Sequence, residues 1–148
     1  QRQMCIREDL YASLCFFEGA NVSLGRGTEK QFQIYGSPFL PESEFDFSFT
    51  PQPNFGAKDP VHNGKLCFGE DLTEIRKVNR LELKWLLRAY ENTSDKTVFF
   101  NDFFTKLAGT KKLREQIEAG MTEKEIRKTW QEGLERFKEV RKKYLIYE

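Results

Sequence analysis

The sequence predicts an α+β fold, in which a small mixed or antiparallel, barrel-like sheet with long loops is followed by about three C-terminal helices. The chain has 148 residues, which is the length of one domain, so residues 1–148 are treated as a single domain. Thirteen of the fourteen phenylalanines lie between residues 16 and 104, and all five prolines lie between residues 38 and 60. Behind that part, apolar residues recur at helical spacing.

The front part is predicted to form short strands joined by proline-containing loops. The segment FDFSF alternates apolar and polar residues, as a half-buried strand does. The segments SPFLPES and TPQPNFGAKDPVHNG are predicted loops, because proline removes a backbone donor and biases the preceding residue away from helix. The predicted strands are Ser13–Phe17, Phe32–Tyr35, Asp46–Thr50 and Lys65–Phe68.

The back part opens with two predicted helices. The segment NRLELKWLLRAYEN places Leu83, Leu86, Leu87 and Tyr90 on one face, at the spacing of an amphipathic helix. The segment TKKLREQIEAG is a shorter helix that ends at Gly120, where a left-handed cap costs glycine little.

The third and longest helix is predicted from about Glu123 to Lys143. It opens with a capping box, in which Thr122 is the N-cap and Glu125 follows three residues later. Apolar side chains recur along one face, and the opposite face carries Lys, Arg and Glu. We expect the apolar face to pack in the core and the charged face to be solvated. The apolar residues are Ile126, Trp130, Leu134, Phe137 and Tyr144.

Charge and cysteine content exclude several classes of partner. The 24 basic and 23 acidic residues give a net charge of +1, so a nucleic-acid partner is not expected. No segment approaches the ~20 apolar residues of a membrane span. Cys5, Cys15 and Cys67 are not at metal-ligand spacing and the single histidine is His62, so neither a metal nor a cofactor is predicted. The cysteines read as ordinary thiols in or near the core, although one disulfide remains open.

The stretch EGANVSLGRGT, which follows the apolar run ASLCFF, is the candidate site. Glycines on both sides of the arginine let a ligand approach the main chain closely, and consecutive N–H groups in such a loop can bind an anion. The arginine fork fits a carboxylate or phosphate in a bidentate manner. The candidate substrate-binding residues are Glu18, Asn21, Ser23, Arg26 and Thr28.

The alternative is that this stretch is architecture, with Arg26 paired to Glu18 inside the fold. A Gly-Arg-Gly pattern alone is weakly specific. No phosphate-binding loop or dinucleotide-binding spacing follows it, and a Ser–His–acid triad would have to use His62, which lies in a proline-flanked loop without a nucleophile elbow. Nucleophilic hydrolase chemistry is therefore rejected.

The stretch FEGANVSLGRGTEKQFQIYGSPFL resembles the EGTN-S-GRGT-x-PF-x-x-x-GAP signature of the NamZ-type exo-β-N-acetylmuramidases, which are bacterial peptidoglycan glycosidases. The segment NGKLCFGEDL and the helical segment from FFTKLAGT onward are similar to later parts of the same family, so the resemblance covers nearly the whole chain. Ala20, Gln31 and Ser37 depart from the signature.

The resemblance implies that this chain is the C-terminal portion of a two-domain protein, whose N-terminal Rossmann-like catalytic domain is absent here. That domain would be its partner, with the substrate cleft between them. The implied reaction releases terminal N-acetylmuramic acid from peptidoglycan fragments, and the implied location is extracytoplasmic. The catalytic residues stay unassigned, and Glu18 and Arg26 are expected to bind the sugar. The alternatives are a non-catalytic glycan-binding module and a structural support domain of an inactive parent.

Overall fold

The computed structural model describes residues 9–75 and 78–146, and within them it confirms the α+β class. Three short strands lie in the first half and four helices in the second, preceded by a helical segment that opens the described chain. In chain order the elements are α1 (residues 9–14), a 3-10 helix (Cys15–Gly19), β1 (Ile34–Ser37), β2 (Phe47–Phe49), β3 (Cys67–Asp71), α2 (Lys84–Asn92), α3 (Phe103–Ala108), α4 (Lys112–Glu118) and α5 (Glu123–Lys142).

The three strands form one antiparallel sheet in the order β1-β3-β2. Gly69 of the central strand β3 lies opposite Gly36 on one side and Phe47 on the other. On its outer side, Gly36 also bridges Ser23, so the loop that precedes β1 is tied to this edge of the sheet. The sheet therefore positions the middle of the candidate site stretch.

The predicted strand Ser13–Phe17 is wrong, because this segment is helical. Residues 9–14 belong to α1 and Cys15–Gly19 forms the 3-10 helix. Ser13, Leu14, Phe16 and Phe17 are all buried, and a short continuous apolar run cannot distinguish a strand from a buried helical segment. The helical turns thus place the apolar run against the core on nearly all sides.

The other strand predictions agree with the structure to different degrees. The clean alternation of FDFSF located β2 correctly. The strand predicted at Phe32–Tyr35 begins only at Ile34, because Phe32 has a φ of 57° and belongs to a turn. The last predicted strand overlaps β3 but begins two residues too early.

The core is rich in aromatic rings from both halves of the chain. Phe17 and Tyr35 stack with their ring centroids 4.7 Å apart, and both side chains are fully buried. Phe104 of α3 lies 4.3 Å from Phe100, again between ring centroids. Burial of one such side chain stabilises the fold by about 1.5–3 kcal/mol. The Phe17–Tyr35 stack joins the 3-10 helix to the sheet, and a contact between Phe16 and Phe104 joins it to the start of α3.

The helical half follows the predicted local signals. Leu83, Leu86 and Tyr90 are buried along one side of α2, as expected for its amphipathic face. Gly120 adopts a φ of +73° just after α4, which confirms the predicted left-handed ending. The capping box is present, since Thr122 Oγ1 accepts from the backbone N–H of Glu125 and the Glu125 carboxylate accepts from the backbone N–H of Thr122.

The prediction that the whole apolar face of α5 packs in the core is wrong. Ile126 is fully buried, but Phe137 is 62% exposed and Tyr144 is 77% exposed. Every residue from 131 to 146 is exposed. A helix of 20 residues is about 30 Å long, and the described part of the domain covers only its first two turns. The second half of α5 therefore projects from the domain.

Among residues 9–75 and 78–146, no helix combines the length and the apolar character that crossing a membrane requires.

Candidate functional site

The stretch from Phe17 to Arg26 curves around a cavity of about 310 Å³. Two other parts of the chain complete the wall, one from the loop between β2 and β3 and one from the turn that precedes α3. The lining is largely apolar and includes a few polar side chains, as in most small-molecule sites. The lining residues are Phe17, Glu18, Ala20, Asn21, Val22, Leu24, Arg26, Val61, Val98 and Asn101.

The 3-10 helix directs Glu18 toward the cavity. Phe16 and Phe17 on its other sides are buried, and the Phe16 ring centroid lies 6.0 Å from that of Phe104 in α3. The carbonyl of Gly19 accepts from the backbone N–H of Asn101 at 3.0 Å. With its neighbours held in the core, the Glu18 side chain takes the remaining direction and is 27% exposed.

Asn21 is held through its backbone from three directions. Its N–H donates to the carbonyl of Phe99 at 2.7 Å. Its carbonyl accepts from Ser37 Oγ at 2.8 Å and lies 3.1 Å from Nε2 of His62. These contacts use main-chain atoms only, so they leave the side-chain amide of Asn21 available at the cavity that this residue lines.

His62 supports this part of the site from the loop between β2 and β3. Burial lowers the pKa of its imidazole, so the neutral ring is favoured and Nε2–H donates to the Asn21 carbonyl. The histidine backbone has a φ of 62°, in the left-handed region that non-glycine residues rarely adopt. His62 therefore positions the loop that carries Asn21, and its neighbour Val61 lines the cavity.

The Gly-Arg-Gly segment is a tight turn whose shape requires both glycines. Gly25 and Gly27 have φ values of +70° and +82°. A Cβ on Gly27 would lie 2.5 Å from the carbonyl oxygen of Gln52, and the Gln52 N–H donates to the Gly27 carbonyl at 3.0 Å. Thr28 closes the turn, since its N–H and its hydroxyl both donate to the carbonyl of Gly25. The turn thus presents Arg26 from a fixed backbone.

Arg26 lies at the rim of the cavity beside Glu18. One of its terminal nitrogens is 3.3 Å from Glu18 Oε1, and its Cζ is 4.9 Å from the ring centroid of Phe32. The Arg26 side chain is 49% exposed, so the ion pair predicted as the alternative forms at the rim of the cavity and not inside the fold. The pair exists, but at this exposure it stabilises the fold by about 0–1 kcal/mol. The contact uses one of the five donors of the guanidinium.

Three of the five predicted binding residues meet in the cavity, namely Glu18, Asn21 and Arg26. The other two do not line it. Ser23 is buried and its backbone N–H and carbonyl both bond to Gly36 at the edge of the sheet. The Thr28 hydroxyl is used within the turn, where it also accepts from the N–H of Lys30. In this structure Ser23 and Thr28 shape the loop that holds the other three.

Sequence reasoning missed the residues that reach the cavity from later in the chain. Asn101 is the polar one, and its Oδ1 accepts from the N–H of Phe103 at the start of α3. An asparagine before a helix is a recognisable capping signal, but it does not say that the side chain lies across a cavity from Glu18. Val61 and Val98, both about half exposed, were not distinguishable from other apolar loop residues.

The cavity offers one carboxylate, one guanidinium and two amides to a polar ligand. Glycoside hydrolysis commonly uses two carboxyl groups that flank the scissile bond, whereas the lining includes only Glu18. No cluster of three or more metal-ligating side chains occurs among residues 9–75 and 78–146. The arrangement is thus suited to binding and orienting an anionic, hydroxyl-rich ligand.

Neither of the described cysteines has the character of a nucleophile. Cys15 and Cys67 are free thiols. Burial raises the pKa of both, and that of Cys67 reaches about 12. A thiol with a raised pKa is a weak nucleophile at neutral pH. Both agree with the expected ordinary thiols, while Cys5 lies outside the described residues.

Two relatives and one family model match this chain. A protein named peptidoglycan beta-N-acetylmuramidase NamZ, from Bacillus subtilis (strain 168), is 31% identical over 93% of the chain. A crystal structure of a DUF1343 family protein from Bacteroides fragilis NCTC 9343 is 40% identical, covers 96% of the chain and superimposes with a TM-score of 0.86. The chain spans 37% of the length of the first relative and 41% of the second.

The family model is described as the C-terminal part of exo-beta-N-acetylmuramidase NamZ and matches residues 9–147. It therefore covers the cavity stretch, the sheet and all four helices of the second half. The expected resemblance is confirmed: this chain belongs to the family of NamZ C-terminal domains.

Proposed function

We propose that this domain forms one wall of the substrate cleft of a peptidoglycan exo-β-N-acetylmuramidase and helps to bind the terminal N-acetylmuramic acid. The other wall would come from an N-terminal domain of the same chain, and the reaction would take place outside the cytoplasm. The observation that carries the proposal is the half-exposed Arg26 beside Glu18 at a cavity that also presents Asn21 and Asn101. The family relation and the length of the relatives support it.

Arg26 is the group that would recognise muramic acid. This sugar differs from glucosamine by a lactyl ether, which carries a carboxylate when no peptide is attached. A guanidinium binds a carboxylate through two parallel N–H donors. The contact between Arg26 and Glu18 is long and solvent-accessible, so exchanging it for a substrate carboxylate costs little.

Glu18 and the two asparagines would orient the sugar rather than cleave the bond. Once the lactyl carboxylate of the substrate pairs with the Arg26 guanidinium, the Glu18 carboxylate is free to accept a hydrogen bond from a sugar hydroxyl. The amides of Asn21 and Asn101 offer both donors and acceptors for the acetamido group and the remaining hydroxyls. Because the lining includes one carboxylate only, we assign the proton donor for the leaving oxygen to the N-terminal domain.

The test is the kinetics of Arg26→Lys in the full-length protein. Lysine keeps the charge but loses the planar, bidentate fit. We expect kcat/KM for a muramide with a free lactyl carboxylate to fall by about ten- to hundredfold, which corresponds to about 1.4–2.8 kcal/mol of transition-state binding. Activity on a matched glucosaminide, however low, should change far less, because that substrate lacks the carboxylate.

Arg114→Lys is the matched control. Arg114 also pairs with a glutamate, Glu118, and its Cζ lies 5.5 Å from the ring centroid of Phe100, but it does not line the cavity. We expect its kcat/KM to stay within about twofold of the wild-type value, as for a surface pair that contributes little. Equal losses in Arg26→Lys and Arg114→Lys would contradict the recognition role.

The second candidate is a glycan-binding or support module of a parent that has lost activity. The presence of a single carboxylate in the lining is the observation that favours it. A full-length protein that binds muramic acid fragments without turning them over, and in which Arg26→Lys weakens that binding, would establish this candidate instead.

A further inference from the structure

The second half of α5 presents an apolar row that no described part of this domain covers. Leu134, Phe137 and Val140 of α5, with Tyr144 in the turn just after it, follow one another at intervals of three and four residues and are 45–77% exposed. We call these four residues the α5 stripe. Such intervals keep side chains on one face of a helix. Trp130, one turn earlier on this face, is partly buried against the core. The stripe is therefore the outward continuation of a face that is buried at its base.

The opposite face of this half-helix is held by short-range ion pairs. Glu132 pairs with Arg136, and two further pairs of the same kind follow along the helix, Glu135 with Lys138 and Glu139 with Lys142. Each such pair stabilises an isolated helix by about 0.2–0.5 kcal/mol. Isolated helices shorter than about 12–15 residues are marginal in water. A regular helix with one apolar and one charged face thus points to a partner on the apolar side.

The solved relative indicates that the projecting helix belongs to a longer protein. That structure covers 96% of this chain with a TM-score of 0.86, so about six residues at most lack a counterpart. Residues 131–146 are more numerous than that, and most of them are therefore matched in a protein of which this chain covers 41%. Most of this helix therefore has an aligned counterpart in a protein that contains a large additional part.

The size of the stripe favours a partner on the same chain over a second copy. Its four side chains expose roughly 450 Å², taking about 150–250 Å² for a complete aromatic side chain and less for Leu and Val. Stable complexes between separate molecules bury about 800 Å² per partner. A covalently linked domain binds at an effective concentration near the millimolar range, so a smaller patch is sufficient.

We propose that the α5 stripe docks against the additional N-terminal domain of the full-length protein and fixes that domain relative to this one. The inference rests on the two-domain organisation proposed above but not on the identity of the sugar, because the stripe residues do not line the cavity. In this arrangement the apolar face of α5 contacts the additional domain, and its charged face with the three ion pairs stays in solvent.

The test is backbone hydrogen exchange in the full-length protein, comparing two double variants. Leu134→Gln/Phe137→Gln removes the centre of the stripe and keeps good helix formers. Glu135→Gln/Glu139→Gln makes the same kind of change in the same turns on the charged face and is the matched control. We expect the stripe variant alone to speed exchange of residues 131–146 by tenfold or more, and to expose a contiguous patch of the additional domain.

A folding control and a dilution series complete the test, and the dilution series distinguishes the additional domain from a second copy of the chain. Exchange within β3 reports whether each variant is folded, and a dilution series of the wild-type protein, with its mass followed by sedimentation, needs no variant. Protection of residues 131–146 that is independent of concentration supports the proposal. It is overturned if these amides exchange as freely in the wild type as in the stripe variant. It is equally overturned if protection is lost on dilution together with a dimeric mass, because a second copy would then cover the stripe.

Discussion

The loop that carries Arg26 and the second half of α5 differ in what holds them in place. The loop is irregular, yet backbone hydrogen bonds to distant segments hold it in place. Gln52 donates to the carbonyl of Gly27 within the loop, and Asn101 donates to the carbonyl of Gly19 just before it. The second half of α5 is regular, yet none of the described residues packs on its exposed face. Local regularity and tertiary support are thus separate properties here, and the irregular region is the one that the rest of the domain immobilises.

The largest expected difference between the two regions is in the cost of removing a phenylalanine. Phe104 is fully buried between Phe16 and Phe100, whereas Phe137 is 62% exposed. In the 148-residue chain we expect Phe104→Ala to lower the free energy of unfolding by about 3–5 kcal/mol. Phe137→Ala should change it by less than about 0.5 kcal/mol, as surface substitutions do. Urea denaturation of both variants measures the difference, and similar losses would show that the α5 stripe is covered within this domain.

A glycine-to-alanine pair should give effects of opposite sign. Gly27 has a φ of +82° and no room for a Cβ, so we expect Gly27→Ala to lower the free energy of unfolding by about 1–3 kcal/mol. Gly133 lies within α5 and a Cβ there would meet nothing. Gly133→Ala should strengthen the helix by up to about 1 kcal/mol, which is the difference in helix propensity.

The two glycine variants need different measurements. Thermal melting followed by near-UV circular dichroism reports the loss of the packed core in Gly27→Ala. Helix content by far-UV circular dichroism reports the gain in Gly133→Ala, because a helix end without tertiary contacts frays independently of the core. A stabilised Gly27→Ala variant would mean that the turn does not need its left-handed backbone.

A smaller effect is expected from the titration of His62, which should make the free energy of unfolding depend on pH. Burial lowers the pKa of this histidine in the folded state, so the unfolded chain binds the proton more readily. The free energy of unfolding should therefore fall as the pH drops below the ordinary histidine pKa of about 6.5 and reach its lower level below the folded-state pKa. His62→Asn tolerates the positive φ and should remove this component from the profile. A His62→Asn profile identical to that of the wild type would contradict the burial of the imidazole.

The sequence predicted what depends on short-range patterns. The capping box at Thr122, the left-handed ending at Gly120 and the alternation in FDFSF each concern neighbours within a few residues, and all three are present in the structure. The candidate site stretch was proposed from its composition and from family resemblance, and its role in binding stays a prediction. Of the five predicted residues, Glu18, Asn21 and Arg26 line one cavity, whereas Ser23 and Thr28 do not.

What the sequence could not predict depends on contacts between distant segments. The apolar run before Glu18 is compatible with a strand or a buried helical turn, and its packing on α3 decided the outcome. Asn101 is held at the cavity by hydrogen bonds between distant segments, such as the one that its N–H donates to the carbonyl of Gly19, 82 residues away in sequence. The exposure of Phe137 likewise follows from where the domain ends in space, since an apolar helix face looks the same whether its partner lies in the same domain or elsewhere.

The most direct measurement of the central claim is turnover of a chromogenic N-acetylmuramide by the 148-residue chain and by the full-length protein in parallel. The cavity of this domain presents one carboxylate, Glu18, and the binding groups Asn21, Arg26 and Asn101. We expect the full-length protein to release the chromophore and the 148-residue chain to remain at the uncatalysed rate, because in the proposed arrangement the other wall of the cleft belongs to the additional domain. Turnover by the 148-residue chain well above that rate would show that the complete active site lies within this domain and would contradict the account.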